Sequence, residues 1–314
     1  MGTAGLSFVW WGLTWRGFRR EFQRKFRARF ALHCSSHDCA GKRNFWTRLR
    51  AHPRGIVFQG ERYCMDKCVE RALAEALGRL RTIPKRAAAH RVPLGLLLLS
   101  REQLTAEQLR QALAAQSAAG RGRIGEWLLG LGFVSDVQIT AALARQWSCP
   151  VLPGLVLDSS RVPQLPLCLL ESFGMAPVDY VSSTATLHMA FAEGIDYAVL
   201  YAIEQMLGCH TEPCLVLPRV LRGNLAVLAE HRPESEVVFD RVADMAECAR
   251  IVRSYSVRVD ASEIRLAACG PHLWVRLLGA APTPLDLMLR APGEAKSEAL
   301  RRGRNLALGA VSGV

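Results

Sequence analysis

Residues 123–146 read RIGEWLLGLGFVSDVQITAALARQ, and residues 93–116, thirty positions earlier, read PLGLLLLSREQLTAEQLRQALAAQ. Aligned over 92–116 and 122–146, eight of 25 positions are identical: Gly95/Gly125, Leu98/Leu128, Leu99/Leu129, Gln108/Gln138, Ala112/Ala142, Leu113/Leu143, Ala114/Ala144 and Gln116/Gln146. Such self-similarity marks one supersecondary unit stacked on its own copy. Each half reads as a short helix, a turn and a longer helix. In the second half Ile124, Trp127, Leu128 and Leu131 line one helical face. Gly132 stops that helix and Ser135 caps the next, where Ile139, Ala142, Leu143 and Gln146 continue the apolar side. In the first half Thr105-Ala106-Glu107-Gln108 is a capping box, followed by Leu109, Ala112, Leu113 and Gln116. Two readings of the paired glutamines are open. They cap the core, or they face one bound molecule together with two glycine turns. Glycine lets backbone approach a flat base closely; glutamine matches a base edge, and Arg123 matches a phosphate.

After the repeat the pattern changes. Leu167 to Phe173 reads as a short helix. Gly174–Val181 and Ala185–Ala192 read as strands, Asp196–Leu207 as a helix, Thr211–Leu217 as a strand and Arg219–Leu228 as a helix. That order predicts a small α/β layer. Further on, Asp244–Tyr255 reads as a helix. Glu263–Ala268 and Pro271–Leu278 read as a hairpin around Cys269-Gly270, with Trp274 in its core. The Gly-, Ala- and Arg-rich stretch from Leu289 reads as a fraying tail. The expected class is α+β: a helical repeat pair, then a small α/β layer, then an α+β C-terminal appendix. The expected division is 1–33, 34–82, 92–146, 147–230 and 231–314.

Charge divides the chain differently. Residues 1–90 carry 19 Lys or Arg against 6 Asp or Glu, and residues 91–314 carry 21 against 22. A nucleic-acid-coating protein spreads positive charge over its folded body. Here the body is near neutral, which argues against nucleic acid as the partner. Apolar residues make up 50% of the chain and charged residues 22%, enough for a sizeable core. No window reaches the length of apolar residues that a membrane span needs.

Within the basic segment, Phe18, Phe22, Phe26 and Phe30 recur every four residues among Arg and Lys. On a helix these form an aromatic stripe flanked by cations. It suits packing, weak contact of residues 15–30 with an anionic membrane surface, or a misread leader. Next come Cys34-x4-Cys39 and Cys64-x3-Cys68, with 24 residues between the pairs. Two close pairs of thiolates suit tetrahedral zinc in a structural role. The same cysteines also suit plain packing, since the chain has ten. With no convincing secretory signal, a reducing cytoplasm and free or metal-bound thiols are expected.

The repeat unit resembles the cyclic di-GMP-binding N-terminal domain of type II secretion and type IV pilus assembly ATPases. That family carries paired units of the form RLGxxLxxxGxxxxxxLxxALxxQ. The resemblance covers roughly residues 92–230. It implies that cyclic di-GMP is the ligand and that a secretion or pilus machinery protein is a partner. It also implies ligand contacts from Arg123, Ile124, Gly125, Leu128, Gly132, Leu143 and Gln146 in the second unit. The first unit would supply Leu94, Gly95, Leu98, Leu109, Leu113 and Gln116. The first unit departs from the pattern, because Pro93 stands at the Arg position and Glu102 at the second glycine. A lost cation and an added carboxylate both weaken anion binding.

No catalytic pattern competes. G-x-S-x-G and H-E-x-x-H are absent, and none of the five lysines lies in GxxxxGK[ST]. The glycines at 120, 122 and 125 match G-x-G-x-x-G, but a helix rather than a strand precedes them. The expectation is a non-catalytic regulatory or docking module that binds a cyclic dinucleotide. The alternative is a zinc-containing nucleic-acid-binding protein or a purely protein-interaction protein.

Overall fold

The computed structural model describes residues 34–39, 55–64, 67–80, 91–155, 162–230 and 235–290. The aromatic stripe at 15–30, the link at 81–90 and the chain from 291 onward lie outside the described residues. Of the described residues, those within Pro84–Val238 and Ala267–His272 form one compact unit. Those within Met1–Ile83, Phe239–Leu266 and Leu273–Pro292 form the other. The fold is α+β.

In the first of these units the duplication is structural. Helices α2 (Leu94–Leu99) and α3 (Ala106–Ala119) are followed by α4 (Ile124–Gly130) and α5 (Asp136–Trp147). Thr105 caps α3 and Ser135 caps α5. In each case the hydroxyl accepts from the N–H three residues on, and the glutamine there, Gln108 or Gln138, reaches back to the cap N–H. The packing alternates: α2 lies on α5 and α3 on α4. One core runs between the halves, built from Leu94, Leu98, Leu104 and Ala112 on one side and Leu128, Val134, Ile139 and Ala142 on the other. Gly95 and Gly125 permit the close approach. A Cβ at Gly95 would lie 2.7 Å from Leu109 Cδ1, and one at Gly125 would lie 3.3 Å from Leu94 Cδ2. The sharp corner between helices recurs too, with φ +57° at Glu102 and +71° at Gly132.

Helix α6 (Leu167–Phe173) leads into a three-stranded sheet of β3 (Met175–Val181), β4 (Thr186–Phe191) and β5 (His210–Leu215), in the order β3-β4-β5. Strands β3 and β4 are antiparallel, with a shift in register at Pro177, which has no N–H to give the ladder. Strands β4 and β5 are parallel, so the chain between them must cross over, and α7 (Tyr197–Leu207) provides that crossing. Asp196 starts α7 by accepting from the N–H groups of Ala198 and Val199. Helix α8 (Pro218–Glu230) follows β5.

The second unit contains α1 (Lys67–Leu80) and α9 (Met245–Arg258), packed on each other through Val69, Leu73, Leu77, Ala249 and Val252. A six-stranded sheet runs in the order β2-β1-β7-β8-β9-β6. These strands are β1 (Gly55–Phe58), β2 (Glu61–Cys64), β6 (Glu236–Phe239), β7 (Glu263–Cys269), β8 (His272–Leu278) and β9 (Leu285–Arg290). Strand β1 pairs antiparallel with β2 and parallel with β7. Segments 55–64 and 236–290, read separately in the sequence, therefore share one sheet. Leu289, read as the start of a tail, is fully buried in β9. At the centre Arg276 makes a two-pronged pair with Asp286, at 2.8 and 2.7 Å, and the Trp274 indole N–H donates to the same carboxylate at 2.8 Å.

Candidate functional site

The two glutamines that end the repeat helices turn out to be reciprocal. Gln116, in the first half, donates from Nε2 to the carbonyl of Gly122 at 2.9 Å. Gln146, in the second half, donates to the carbonyl of Val92 at 2.6 Å. Val92 and Gly122 are equivalent under the period of 30. Each half thus clasps the entry to the other half's first helix, which fixes the carboxamide while leaving it half-buried.

The remaining residues divide by accessibility. Leu98 and Leu128 have no exposed surface, and Leu94, Gly95 and Gly125 are buried in the core between the halves. Leu109, Ile124 and Leu143 are half-buried against that core, whereas Leu113 is 46% exposed. Gly132 is exposed at its corner. Arg123 is exposed, and its Nη1 meets Glu193 Oε2 at 2.7 Å. Of the expected ligand residues, Arg123, Gly132, Gln116, Gln146 and Leu113 therefore have accessible surface, and Leu109, Ile124 and Leu143 are accessible in part.

Five residues absent from the expected ligand set, Arg91, Trp147, Glu193, Gly194 and Tyr197, lie along one edge of this region. The Arg91 guanidinium stacks 3.4 Å from the centre of the Trp147 ring. That ring lies 3.4 Å from where a Gly194 Cβ would stand, and its centre is 6.0 Å from that of Tyr197. Beside Gly194 is Glu193, the partner of Arg123. The Trp147 indole N–H is buried with no hydrogen-bond partner among the described residues. Arg123 and Glu193 are seventy residues apart, so no local pattern announces their meeting.

A second cluster lies in the other unit. The sulfurs of Cys34, Cys39, Cys64 and Cys68 all fall within 4.8 Å of one another, and Cys39 Sγ is 3.8 Å from Cys64 Sγ. None of the ten cysteines forms a disulfide among the described residues. The short loop carrying Cys34 and Cys39 is tied to β2 by the Ser35 N–H donating to the Arg62 carbonyl at 2.8 Å. Asp38 pairs with Arg71 on α1. The Cys64 N–H points at Cys34 Sγ at 3.4 Å, a donor suited to a thiolate. Burial, reinforced by the neighbouring Cys68 and Cys34 sulfurs, pushes the Cys64 thiol well above its ordinary value. Four sulfurs in this arrangement are able to coordinate a metal ion. Cys209 and Cys214 join no such group among the described residues. Both are buried, with thiols pushed up to about 11, and Cys214 donates to the Met189 carbonyl at 3.5 Å.

No family model matches the chain, and no curated protein matches it. Among solved structures, one of MshE with cdg is 31% identical, covering 44% of this chain and 99% of that one, with a TM-score of 0.37. Two structures of the N-terminal domain of XpsE are 20% and 21% identical. Each covers 46% of this chain, and 97% and 98% of the XpsE chains, with TM-scores of 0.34 and 0.27. The duplicated Gly-Leu…Gln unit and 31% identity over nearly all of the MshE chain make 44% of this chain similar to the N-terminal domains of type II secretion and pilus assembly ATPases.

Proposed function

We propose that residues 92–146 bind cyclic di-GMP and that the protein is a regulatory or docking module for secretion or pilus machinery in the cytoplasm. The observation that carries this reading is the reciprocal clasp of Gln116 and Gln146. It places two equivalent carboxamides on a pseudo-twofold pair, which matches a ligand that is itself twofold. Similarity to MshE, solved with cdg, supports the choice of ligand. Arg123 supplies charge for a phosphodiester. Leu113 and Leu143 offer accessible apolar surface for guanine faces, and the glutamines offer base-edge contacts. Leu98, Leu128 and the two buried glycines shape this surface from beneath.

Calorimetric titration of the full chain with cyclic di-GMP tests the reading. Saturable binding is expected, weakened by Arg123→Ala and by Gln146→Ala. A folded sample that gives no heat at high micromolar ligand would sink it.

The cysteine cluster supports a second assignment, a structural zinc held by Cys34, Cys39, Cys64 and Cys68. A tetrahedron with zinc–sulfur bonds of about 2.3 Å has edges of about 3.8 Å, and the Cys39–Cys64 separation equals that. The ion would offset two of the four clustered thiolate charges and staple the 34–39 loop to β2 and α1. Metal analysis after gentle purification is expected to give one zinc per chain; a markedly substoichiometric content would overturn the assignment.

A further inference from the structure

We propose that Glu193 is a built-in competitor of the ligand. Its carboxylate holds Arg123 as a phosphodiester oxygen would, and the anion enters by displacing it, with Arg91 as the second cation. This rests on the reading of the repeat as a cyclic di-GMP site.

The clasped carbonyls locate both cations. Gln116 clasps the Gly122 carbonyl, and Arg123 is the next residue. Gln146 clasps the Val92 carbonyl, and Arg91 is the residue before. Each guanidinium therefore begins one residue from a symmetry-related clasp, although the first half has Pro93 where the second has Arg123. Among the described residues Arg91 is held by its stack on Trp147 rather than by a carboxylate. Trp147 packs against Gly194 and Arg123 pairs with Glu193, so both cations border the same turn between β4 and α7. Two carboxylates belong to that turn. Asp196 accepts from Ala198 and Val199 and is committed to starting α7. Of these two only Glu193 pairs with a cation among the described residues; Glu126, on α4, accepts from the Arg123 backbone N–H at 3.2 Å.

The Arg123–Glu193 pair is displaceable by its setting. The two side chains are 68% and 61% exposed, and exposed ion pairs contribute little to stability. A phosphodiester that also meets Arg91 gains a second cation that Glu193 does not use. The remaining carboxylate repels it until it swings away. Glu193 thereby sets a threshold on ligand concentration without touching the ligand.

The test is titration of the full chain and three variants with cyclic di-GMP, with folding checked by circular dichroism. Glu193→Gln is expected to tighten binding by about three- to fivefold. Arg91→Gln is expected to weaken it. In an Arg123→Gln background, Glu193→Gln is expected to lose its effect. Wild-type binding that Glu193→Gln leaves unchanged or weakens overturns the competitor while the cyclic di-GMP site stands. An equal gain in the Arg123→Gln background also overturns it, because the effect is then one of general charge. Absence of binding by both wild type and Glu193→Gln, with both folded, removes the ligand reading itself.

Discussion

The helical pair of residues 94–147 is assembled from short-range contacts made twice, whereas the six-stranded sheet draws its strands from segments two hundred residues apart and buries an ion pair between β8 and β9. In the pair, the packing and capping contacts come in twins: Gly95 and Gly125, the two capping boxes, the two corners, the two clasping glutamines. In the sheet, β1 finds its parallel neighbour in β7, with Phe58 opposite Ile264, and the Arg276–Asp286 pair has no counterpart among the described residues. Redundancy makes the first region tolerant of single polar changes. Uniqueness makes the second brittle.

The largest effect is expected where the sheet is least redundant. Asp286→Ala removes the carboxylate paired with Arg276 at a site where both side chains are about 95% buried, and it takes away the acceptor of the Trp274 N–H. A loss of about 3–5 kcal/mol is expected in urea unfolding. Hydrogen exchange should place that loss in β7–β9; faster exchange in α2–α5 as well would show that the two regions are not separable. Next come the twin core leucines. Leu98→Ala and Leu128→Ala should each cost about 3 kcal/mol. A clear inequality between them would break the pseudosymmetry.

Smaller still are the clasps. Gln116→Ala and Gln146→Ala should each remove about 1 kcal/mol from thermal unfolding, the net worth of one such hydrogen bond. The smallest effect has the opposite sign. Glu102 holds a left-handed φ that Gly132 adopts freely, so Glu102→Gly should stabilise by about 0.5–1 kcal/mol. A measured loss would mean that the Glu102 side chain makes a compensating contact.

These regions also differ in how plainly the sequence announces them. The repeat is legible because its period, caps and apolar spacing are all local. The two glycines, Thr105 and Ser135 could each be placed from a few neighbours. Strands β1 and β2 escape notice because GIVF and ERYC are four residues long, too short for alternation to stand out. Strand β9 lies beyond the Pro- and Ala-rich turn at 279–284, where its short apolar run looks like the start of a tail. Hairpin β7–β8 was legible, because Cys269-Gly270 breaks two β-rich runs. At the site, Arg123 and both glutamines follow from the motif, and the four cysteines from their spacing. Trp147 and Glu193 do not, since their roles arise only when the helical pair meets the turn after β4.

The exchanged glutamines carry one more consequence. A fragment ending at Gly120 would possess a donor whose natural acceptor has been removed, and a second copy of the same fragment would offer Val92 in its stead. Isolated half-units should therefore self-associate as twofold homodimers, the arrangement from which a tandem fusion would have descended.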